Sequence, residues 1–386
     1  MREVQMAGQL DHVLCYYFPN YHIDKRNEYW HGQGWTEWDL VKNARPRFAG
    51  HRQPIEPAWG HFDESDPKWA AKEIDLAADH GITGFIFDWY WYEDGPYLHE
   101  ALLNGFLKAP NNNRLTFSLM WANHDWLNIH PASAMVHKCK QEPLAKGQIS
   151  REAFDRMTDL IVKDLFSRPN YLKINGCPYF SIYEIGKFVA GYGSLEGAVE
   201  VINSFRAKTK AAGFPDLHLD ICIWGFNVLP GEMSVRDPVA VAKALGCASV
   251  GSYVWIHHHN ITKDGFPEAS YEKCHAANQN VWREKTATFP VPYYPNVTMG
   301  WDSSPRTCQT DKFENRGYPF MSIMAGNTPA AFEHALRTAV AFLQPRKSPD
   351  RILLLNAWNE WTEGSYLLPD TVTGTAYLEA IKRVCT

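Results

Sequence analysis

One stretch near the end of this 386-residue chain decides its fold, and it reads Arg351-Ile352-Leu353-Leu354-Leu355-Asn356-Ala357-Trp358-Asn359-Glu360-Trp361-Thr362-Glu363-Gly364. The apolar run from Ile352 to Leu355 predicts a strand buried on both faces, as in a parallel sheet. Glu360 and Glu363 follow it three residues apart, and both can face one cavity because the alternation of a strand has ended. Two carboxylates beside indole rings are the groups that cleavage of a glycosidic bond needs. An isolated pair at this spacing is more often a pair of exposed loop charges, so the rest of the chain has to decide.

Seven more strands precede this one, and helices alternate with them along the chain. The predicted strands cover residues 13–19, 84–90, 115–122, 179–183, 217–223, 248–254, 291–297 and 351–357. The predicted helices cover residues 66–80, 98–108, 151–166, 195–212, 238–245, 271–288, 328–343 and 376–384. This alternation predicts an α/β fold, a (β/α)8 TIM barrel, as a single catalytic domain over residues 1–386.

Two features interrupt this regular alternation. Residues 20–66 form a long loop between the first strand and the first helix, and its four tryptophans are typical of a binding loop. Pro292 and Pro295 break the seventh strand. The alternative fold is an open doubly wound sheet, but no predicted strand is followed by G-x-G-x-x-G or G-x-x-x-x-G-K.

Composition and charge exclude several classes of function. The formal net charge is -5 and the sequence has no basic block, so it lacks the positive region that binding of nucleic acid requires. No stretch approaches the length of a membrane span. The 15 tryptophans suit a carbohydrate site, although a large aromatic core would also need them. We therefore expect a carbohydrate substrate, no nucleic-acid partner and no membrane span, while the oligomeric state is left open.

The cysteines, the histidines and the N-terminus bear on cofactors and compartment. The eight cysteines form no C-x-x-C pair and no metal-type spacing, so we expect neither a metal nor another cofactor. His257, His258 and His259 are consecutive and cannot all reach one ion without strain, so we expect a loop with one or two substrate contacts. Free thiols in apparent strands favour a reducing compartment. Residues 1–10 lack the apolar segment of a signal peptide, so we expect a cytoplasmic protein unless a leader was trimmed.

The active site of such a barrel lies at the carboxyl ends of its strands, and polar or aromatic residues recur at those ends. The set comprises Tyr21, His22, Asp88, Trp89, Asn123, His124, Asp125, Glu184, Trp224, Tyr253, Trp255, Asp302, Glu360 and Glu363. Such endings on every strand indicate a sugar-binding, hydrolytic site rather than solvated loop charges. Further substrate-binding candidates are Trp35, Trp301, Arg306, Trp358, Asn359 and Trp361.

General chemistry divides the roles at the two glutamates. Protonating a leaving group requires a carboxylic acid whose pKa is raised toward neutral. A second carboxylate nearby disfavours ionisation of the first, so Glu360 and Glu363 form a candidate catalytic pair of one acid and one base. The aspartates of the set could accept hydrogen bonds from sugar hydroxyls. Arg306 could pair with Asp302 or with an acidic group of the substrate, and a purely structural salt bridge is an equal alternative.

Seven motifs, in order between about Tyr16 and Leu378, match the pattern of one family. They are Tyr17-Phe18-Pro19-Asn20-Tyr21-His22, Gly34-Trp35-Thr36-Glu37-Trp38, Gly50-His51-Arg52-Gln53-Pro54, Gly81-Ile82-Thr83-Gly84-Phe85, Trp121-Ala122-Asn123, Gly300-Trp301-Asp302-Ser303-Ser304-Pro305-Arg306 and Ala357-Trp358-Asn359-Glu360-Trp361-Thr362-Glu363-Gly364. On these motifs the chain resembles WbsX-type proteins. These form the glycoside hydrolase family 99-like group, often labelled as lipopolysaccharide-biosynthesis glycosyltransferases.

The resemblance implies a (β/α)8 barrel and, from glycoside hydrolase family 99, the chemistry of a retaining endo-α-mannosidase. It implies that Glu360 deprotonates the sugar 2-hydroxyl, which attacks the anomeric carbon to give a 1,2-anhydro sugar. It implies that Glu363 protonates the leaving group and then activates water, so that no enzyme nucleophile is needed. Residues 121–126 depart from the family pattern W-A-N-E-N-W, and the departure that matters is His124, where the family has a glutamate. The resemblance therefore implies an altered substrate contact there.

Three functions follow as hypotheses. The first is a glycosidase (a retaining O-glycosyl hydrolase) that cleaves an α-linked, mannose- or rhamnose-like sugar in a polysaccharide or oligosaccharide. The second is a glycosyltransferase in surface-polysaccharide biosynthesis, which the lack of a glycine-rich phosphate loop and of a clear D-x-D disfavours. The third is a non-catalytic carbohydrate-binding barrel, which the intact glutamate pair disfavours. The sequence leaves the sugar, the linkage and exo or endo action open.

Overall fold

Eight parallel strands form the centre of the computed structural model, which describes residues 10–128 and 143–386. The strands are β1 (His12–Tyr17), β2 (Gly84–Tyr92), β3 (Thr116–Trp121), β4 (Cys177–Ile182), β5 (His218–Cys222), β6 (Ser249–Gly251), β7 (Tyr293–Tyr294 and Asn296–Thr298) and β8 (Ile352–Asn356). They pair in chain order from β1 to β6, and β8 returns to pair with β1. The eight predicted strands of the barrel are confirmed.

The seventh strand is interrupted, and this interruption lies where the barrel closes. Its first segment pairs with β6 through Tyr293 opposite Val250, and its second pairs with β8 through Asn296 opposite Leu354. Between the segments, Pro295 has no N–H to donate, but its carbonyl accepts a hydrogen bond from the N–H of Leu354 at 3.0 Å. Pro295 therefore marks where the strand passes from one neighbour to the other.

Helices alternate with the strands, and their positions largely follow the prediction. They are α1 (Lys25–His31), α2 (Trp38–Asn43), α3 (Pro67–Asp79), α4 (Arg151–Leu160), α5 (Ile185–Gly191), α6 (Leu195–Ala211), α7 (Pro238–Ala244), α8 (Tyr271–Thr288), α9 (Pro329–Leu343) and α10 (Ala376–Cys385). A π-helical turn, Ile161–Leu165, extends α4. A π-helical segment, Ala101–Gly105, and a 3-10 turn, Phe106–Lys108, form the helix predicted over 98–108. In the described residues, no helix has the length and apolarity that crossing a membrane requires.

Several short strands lie in the loops outside the eight strands of the barrel. Gly95–Tyr97 pairs antiparallel with β2, and Lys173–Ile174 pairs antiparallel with β4. Three two-stranded sheets join Trp126–Leu127 to Pro143–Ala145, Glu268–Ser270 to Ile323–Ala325, and Asn359–Glu360 to Ser365–Tyr366. The last of these sheets carries one glutamate of the candidate pair.

Three helices were not predicted by the sequence pattern. Residues 20–66, predicted as a loop throughout, contain α1 and α2, and α5 follows β4 directly. Each has only six or seven residues, too few turns for an apolar repeat to be recognised. In α5 the pattern is also broken by Gly186, where a Cβ would lie 1.9 Å from the carbonyl oxygen of Met233. Close backbone packing therefore required glycine inside this helix.

The long loop packs onto the end of the barrel where the strands finish. Trp35 and Trp38 are only 2% and 3% exposed. The ring centroid of Trp38 lies 5.9 Å from that of Trp361, beyond β8. The hydroxyl of Tyr21 accepts a hydrogen bond from the backbone N–H of Trp361 at 3.1 Å. This loop is therefore a structural part of the end of the barrel that carries the candidate site.

Candidate active site

A cavity opens at the carboxyl ends of the strands. Its lining includes eight predicted site residues: Asp88, His124, Asp125, Tyr253, Trp301, Arg306, Glu360 and Glu363. His257 also lines it, together with residues outside the predicted set: Phe18, Tyr90, Met120, Ala122, Trp126, Leu127, Tyr183, Leu229, Val254 and Tyr318. Flat aromatic rings beside carboxylates suit the faces of a sugar.

The loop after β8 is fixed to the end of β1. The side-chain oxygen of Asn359 accepts a hydrogen bond from the N–H of Phe18 at 2.8 Å, and its amide nitrogen donates to the carbonyl of Phe18 at 2.8 Å. Trp358 donates its indole N–H to Glu73 on α3 at 3.0 Å. Neither side chain is in the lining of the cavity, and both hold the loop that presents Glu360.

Gly364 allows this loop to lie against the loop after β7. Its φ of 64° is in the left-handed region, and a Cβ there would lie 2.7 Å from the Cβ of Asp302. The close approach brings the N–H of Asp302 onto the carbonyl of Glu363 at 2.5 Å. The two loops are therefore bonded side by side, which sets Arg306 next to Glu363.

Arg306 is the electrostatic centre of the cavity. Its Nε and Nη2 lie 2.9 and 2.8 Å from Glu37 Oε1, and Nη2 lies 3.5 Å from Glu360 Oε1. Nη1 donates to Glu363 Oε1 and, at 2.7 Å, to the hydroxyl oxygen of Tyr318. Tyr318 in turn donates to Glu363 Oε1 at 2.8 Å. One guanidinium thus reaches both members of the candidate catalytic pair, a use of the planar fork that a lysine could not reproduce.

Glu37 was missed by sequence reasoning although it anchors Arg306. It is fully buried, lies in the long loop beside α2, and also accepts hydrogen bonds from Asn20 and Thr362. The signal was present in the motif Gly34-Trp35-Thr36-Glu37-Trp38, where an acidic residue stands between two tryptophans. Fold rules point to strand ends and not to a loop distant in sequence, so this residue was passed over.

Charge in the cavity is unbalanced unless protons are bound. Glu37, Asp88, Glu360 and Glu363 are buried around the single guanidinium of Arg306. Burial, with the nearby charge of Glu363, raises the pKa of Glu360 well above its ordinary value, although Arg306 offsets part of the effect. Burial likewise raises the pKa of Asp88 well above the ordinary value of an aspartate. Asp88 and Glu360 are therefore the carboxyl groups of the cavity whose pKa values are shifted toward the protonated form.

The other predicted site residues surround the lining without reaching the cavity. They are Tyr21, His22, Trp35, Trp89, Asn123, Glu184, Trp224, Trp255, Asp302, Trp358, Asn359 and Trp361. Several have partners within the protein: the Asn123 amide donates to the carbonyl of Glu184 at 2.9 Å, and the Trp255 indole donates to that of Asn296 at 2.8 Å. As substrate contacts these residues remain predictions.

The structure corrects the expected pairing of Asp302 with Arg306 and gives the partners of the three consecutive histidines. Asp302 does not pair with Arg306, because its Oδ2 lies 2.8 Å from both His51 Nε2 and Gln53 Nε2. The three consecutive histidines diverge as expected. His257 lies 3.1 Å from Glu232, His258 lies 2.7 Å from the Ser252 hydroxyl, and His259 lies 2.6 Å from Asp264. Of the three, only His257 lines the cavity.

Glu73 makes the support behind the cavity dependent on pH. It lies buried between the Trp358 indole and the Tyr17 hydroxyl, and burial, with the charge of Glu64, raises its pKa to about 8. Its contribution to stability is complete below its unfolded pKa of about 4.3 and is lost as the pH rises to about 8. Glu73→Gln imitates the protonated form, so between about pH 4.3 and pH 8 it should flatten the decline of the unfolding free energy by up to about 1.4 kcal/mol per pH unit.

Urea unfolding at several pH values measures this slope. Glu272→Gln, on the exposed side of α8, is the matched control and should leave the slope unchanged. A Glu73→Gln slope equal to that of wild type would show that Glu73 is already ionised in the folded protein.

Comparisons by sequence connect the chain to one family. A family model described as Glycosyltransferase WbsX matches residues 13–381. The curated protein "Uncharacterized protein WxcX" of Xanthomonas campestris pv. campestris (strain B100) is 26% identical over 379 residues, and its counterpart in a second strain is 26% identical over 378 residues. Each alignment covers 97% of this chain and 49% of the relative, so the chain spans about half the length of these relatives.

Comparisons by structure show the same barrel fold. The GH99 endo-alpha-mannosidase from Bacteroides thetaiotaomicron superposes with a TM-score of 0.51 at 12% identity, over 97% of this chain and 96% of that one. A structure titled "Glycoside hydrolase-like protein" superposes with a TM-score of 0.59 at 12% identity, over 98% of this chain and 94% of that one. At such low identity the likeness extends to the fold alone.

Proposed function

The chain belongs to the WbsX glycosyltransferase family, and we propose that this member is a retaining glycoside hydrolase that cleaves an α-linked sugar in a polysaccharide or oligosaccharide. One observation carries the proposal: Glu360 and Glu363 meet at one guanidinium in a cavity walled by aromatic rings. An acid, a base and flat apolar surfaces are what the hydrolysis of a glycoside requires.

The two glutamates take different roles in this mechanism. Glu360 removes the proton of the sugar 2-hydroxyl, and the oxygen attacks the anomeric carbon to form a 1,2-anhydro sugar. Glu363 protonates the departing glycosidic oxygen and, now ionised, takes a proton from water. That water opens the anhydro ring at the anomeric carbon, and Glu360 returns its proton to O2. Two inversions at one carbon give retention of configuration.

The position of Arg306 supports this division of labour. Its Nε and Nη2 both contact Glu37, which is neither of the two catalytic glutamates. When Glu363 carries the proton, the charge of Arg306 is free to stabilise ionised Glu360, whose Oε1 lies 3.5 Å from Nη2. One cation shared by two carboxyls favours the state with one acid and one base.

The lining favours a rhamnose-like over a mannose-like sugar. Met120 and Ala122 belong to the β3 end, and Leu127 and Leu229 follow β3 and β5, so four apolar side chains line the cavity beside His124. Asp125, on the same side, is already paired with Lys187 at 2.9 Å. The methyl group of a 6-deoxy sugar could be buried here, whereas a primary hydroxyl would lose hydrogen bonds to water.

The family description names a second candidate function, a glycosyltransferase. A nucleotide-sugar donor carries a diphosphate, which needs cations or a nest of backbone N–H groups. Among the described lining residues, Arg306 is the only arginine or lysine, and carboxylates already occupy it. The same cavity therefore repels a diphosphate, and this observation favours hydrolysis.

A substrate panel tests the proposal. Aryl α-rhamnosides, aryl α-mannosides and α-linked oligosaccharides are incubated with wild type and with a Glu360→Gln/Glu363→Gln double variant, and a parallel calorimetric titration uses nucleotide sugars. We expect release of sugar by wild type only, with kcat/KM higher for the rhamnoside, and no heat of nucleotide-sugar binding. Binding of a nucleotide sugar without release of sugar would support the transferase, and binding of oligosaccharides without turnover would support a non-catalytic barrel.

A further inference from the structure

Tyr253 lies between two carboxyl groups of the cavity. Its hydroxyl oxygen is 2.8 Å from Glu360 Oε2 and 3.1 Å from Asp88 Oδ2. All three side chains are buried, and the second oxygen of Asp88, Oδ1, has no hydrogen-bond partner among the described residues. The ring of Tyr16 packs against Tyr253 at a centroid distance of 4.7 Å, which limits movement of the phenol.

The two contacts require more protons than the phenol supplies. A tyrosine hydroxyl has one proton, so it can donate to one of the two carboxyl groups. The other contact is a hydrogen bond only if that carboxyl carries a proton and donates it to the phenol oxygen. Two ionised carboxylates would leave one buried anion without a donor here, which is costly. The distances therefore imply one further proton on Asp88 or Glu360.

We propose that Asp88 and Glu360 share this proton through Tyr253, and that Asp88 holds it when Glu360 acts as a base. The sharing is a property of the free protein; the use of the base rests on the proposed function. In the first state, protonated Glu360 donates to the Tyr253 oxygen while the Tyr253 O–H donates to Asp88. In the second state, protonated Asp88 donates to the Tyr253 oxygen while the Tyr253 O–H donates to ionised Glu360.

The exchange between these states is balanced. The proton of Glu360 moves to the phenol oxygen as the phenol proton moves to Asp88, so two O–H bonds break and two form. Asp88, Tyr253 and Glu360 together carry one negative charge before and after the exchange. Glu360 becomes ionised without releasing a proton to solvent, and it can then accept the proton of a sugar 2-hydroxyl. Asp88 is thus a positioning residue that acts through Tyr253.

The surroundings favour one shared proton over two or none. The titratable and charged groups that face the pair are Tyr21, Tyr90, Tyr253, Cys222, Glu363 and Arg306. Arg306, whose Nη2 lies 3.5 Å from Glu360 Oε1, favours one anion in the pair. The charge of Glu363 and the burial of the site disfavour a second anion.

Infrared difference spectroscopy tests the sharing without any substrate. The carbonyl band of protonated carboxyl groups is compared at neutral pH for wild type, Asp88→Asn, Glu360→Gln and the double variant. We expect each single variant, and also the double variant, to lose the intensity of one protonated carboxyl group. A double variant that loses two, or an Asp88→Asn variant that loses none, overturns the proposal. Asp88→Ala replaces Asp88→Asn if the latter does not fold.

The pH dependence of kcat/KM tests the use of the proton. In Asp88→Asn the amide donates to the phenol and a negative charge is gone, so the acid limb should shift to lower pH by about one unit. In Tyr253→Phe, Glu360 loses its donor, so the limb should shift to higher pH by about one unit. Shifts in the same direction, or none, overturn the relay. Lack of hydrolysis in wild type would refute the proposed function and leave the infrared result to decide the sharing.

Discussion

Glu363→Gln is expected to lower kcat/KM for an α-linked disaccharide by about 10²–10⁴-fold, the usual contribution of a general acid. On a dinitrophenyl glycoside the same variant should stay within about tenfold of wild type in kcat/KM, because that leaving group departs without a proton. Its kcat should fall on both substrates, since water must still be activated in the second step. Added azide needs no base and should restore turnover, giving a glycosyl azide of retained configuration.

Glu360→Gln provides the contrast that assigns the roles. It should lose activity on both substrates, because the 2-hydroxyl has to be deprotonated whatever the leaving group is. The comparison is informative because the resting protein has a raised pKa at Glu360 and pairs Glu363 with Arg306 and Tyr318. If the good leaving group rescues Glu360→Gln and not Glu363→Gln, the acid and the base are exchanged.

The barrel could be predicted because its strands carry the strongest local signals in the chain. Residues Ile352 to Leu355 are completely buried, as their unbroken apolar run predicts. The seventh strand has the weakest sequence signal because Pro295 lies at the break in β7. The helices that escaped prediction are short, and tertiary contacts hold them rather than an apolar repeat.

The candidate site could be predicted only where it follows from the strand order. Asp88, Tyr253 and the two glutamates lie at strand ends, and the fold brings strand ends together. Glu37 reaches Arg306 across 269 positions of sequence from a loop, which no local pattern specifies. A buried core indole has the same sequence signal as a sugar-binding one, so the sequence alone does not separate the two kinds of tryptophan.

Arg306→Met is expected to be the most damaging single change to stability, at about 3–5 kcal/mol, the cost of removing one partner from a buried ion pair. Urea unfolding measures the loss. The matched control is Arg114→Met, because Arg114 also bridges two carboxylates, Asp75 and Asp79 at 2.5 and 2.6 Å, but on the exposed surface. Water solvates those partners when the cation is gone, so the control should lose far less.

A second substitution separates two causes of this loss of stability, the unpaired charge of Glu37 and the lost packing of the Arg306 side chain. In Arg306→Met, Glu37 is a buried anion without a counter-ion, whereas in Arg306→Met/Glu37→Gln that charge is absent. The double variant should therefore regain part of the stability, so that the two changes are strongly non-additive. Activity should stay absent in both, because Glu360 and Glu363 then lack the cation that lets one be ionised beside the other. A double variant as unstable as the sum of Arg306→Met and Glu37→Gln would mean that Arg306 stabilises the protein through contacts other than the ion pair with Glu37, such as its position over the Phe18 ring, 5.3 Å from the centroid.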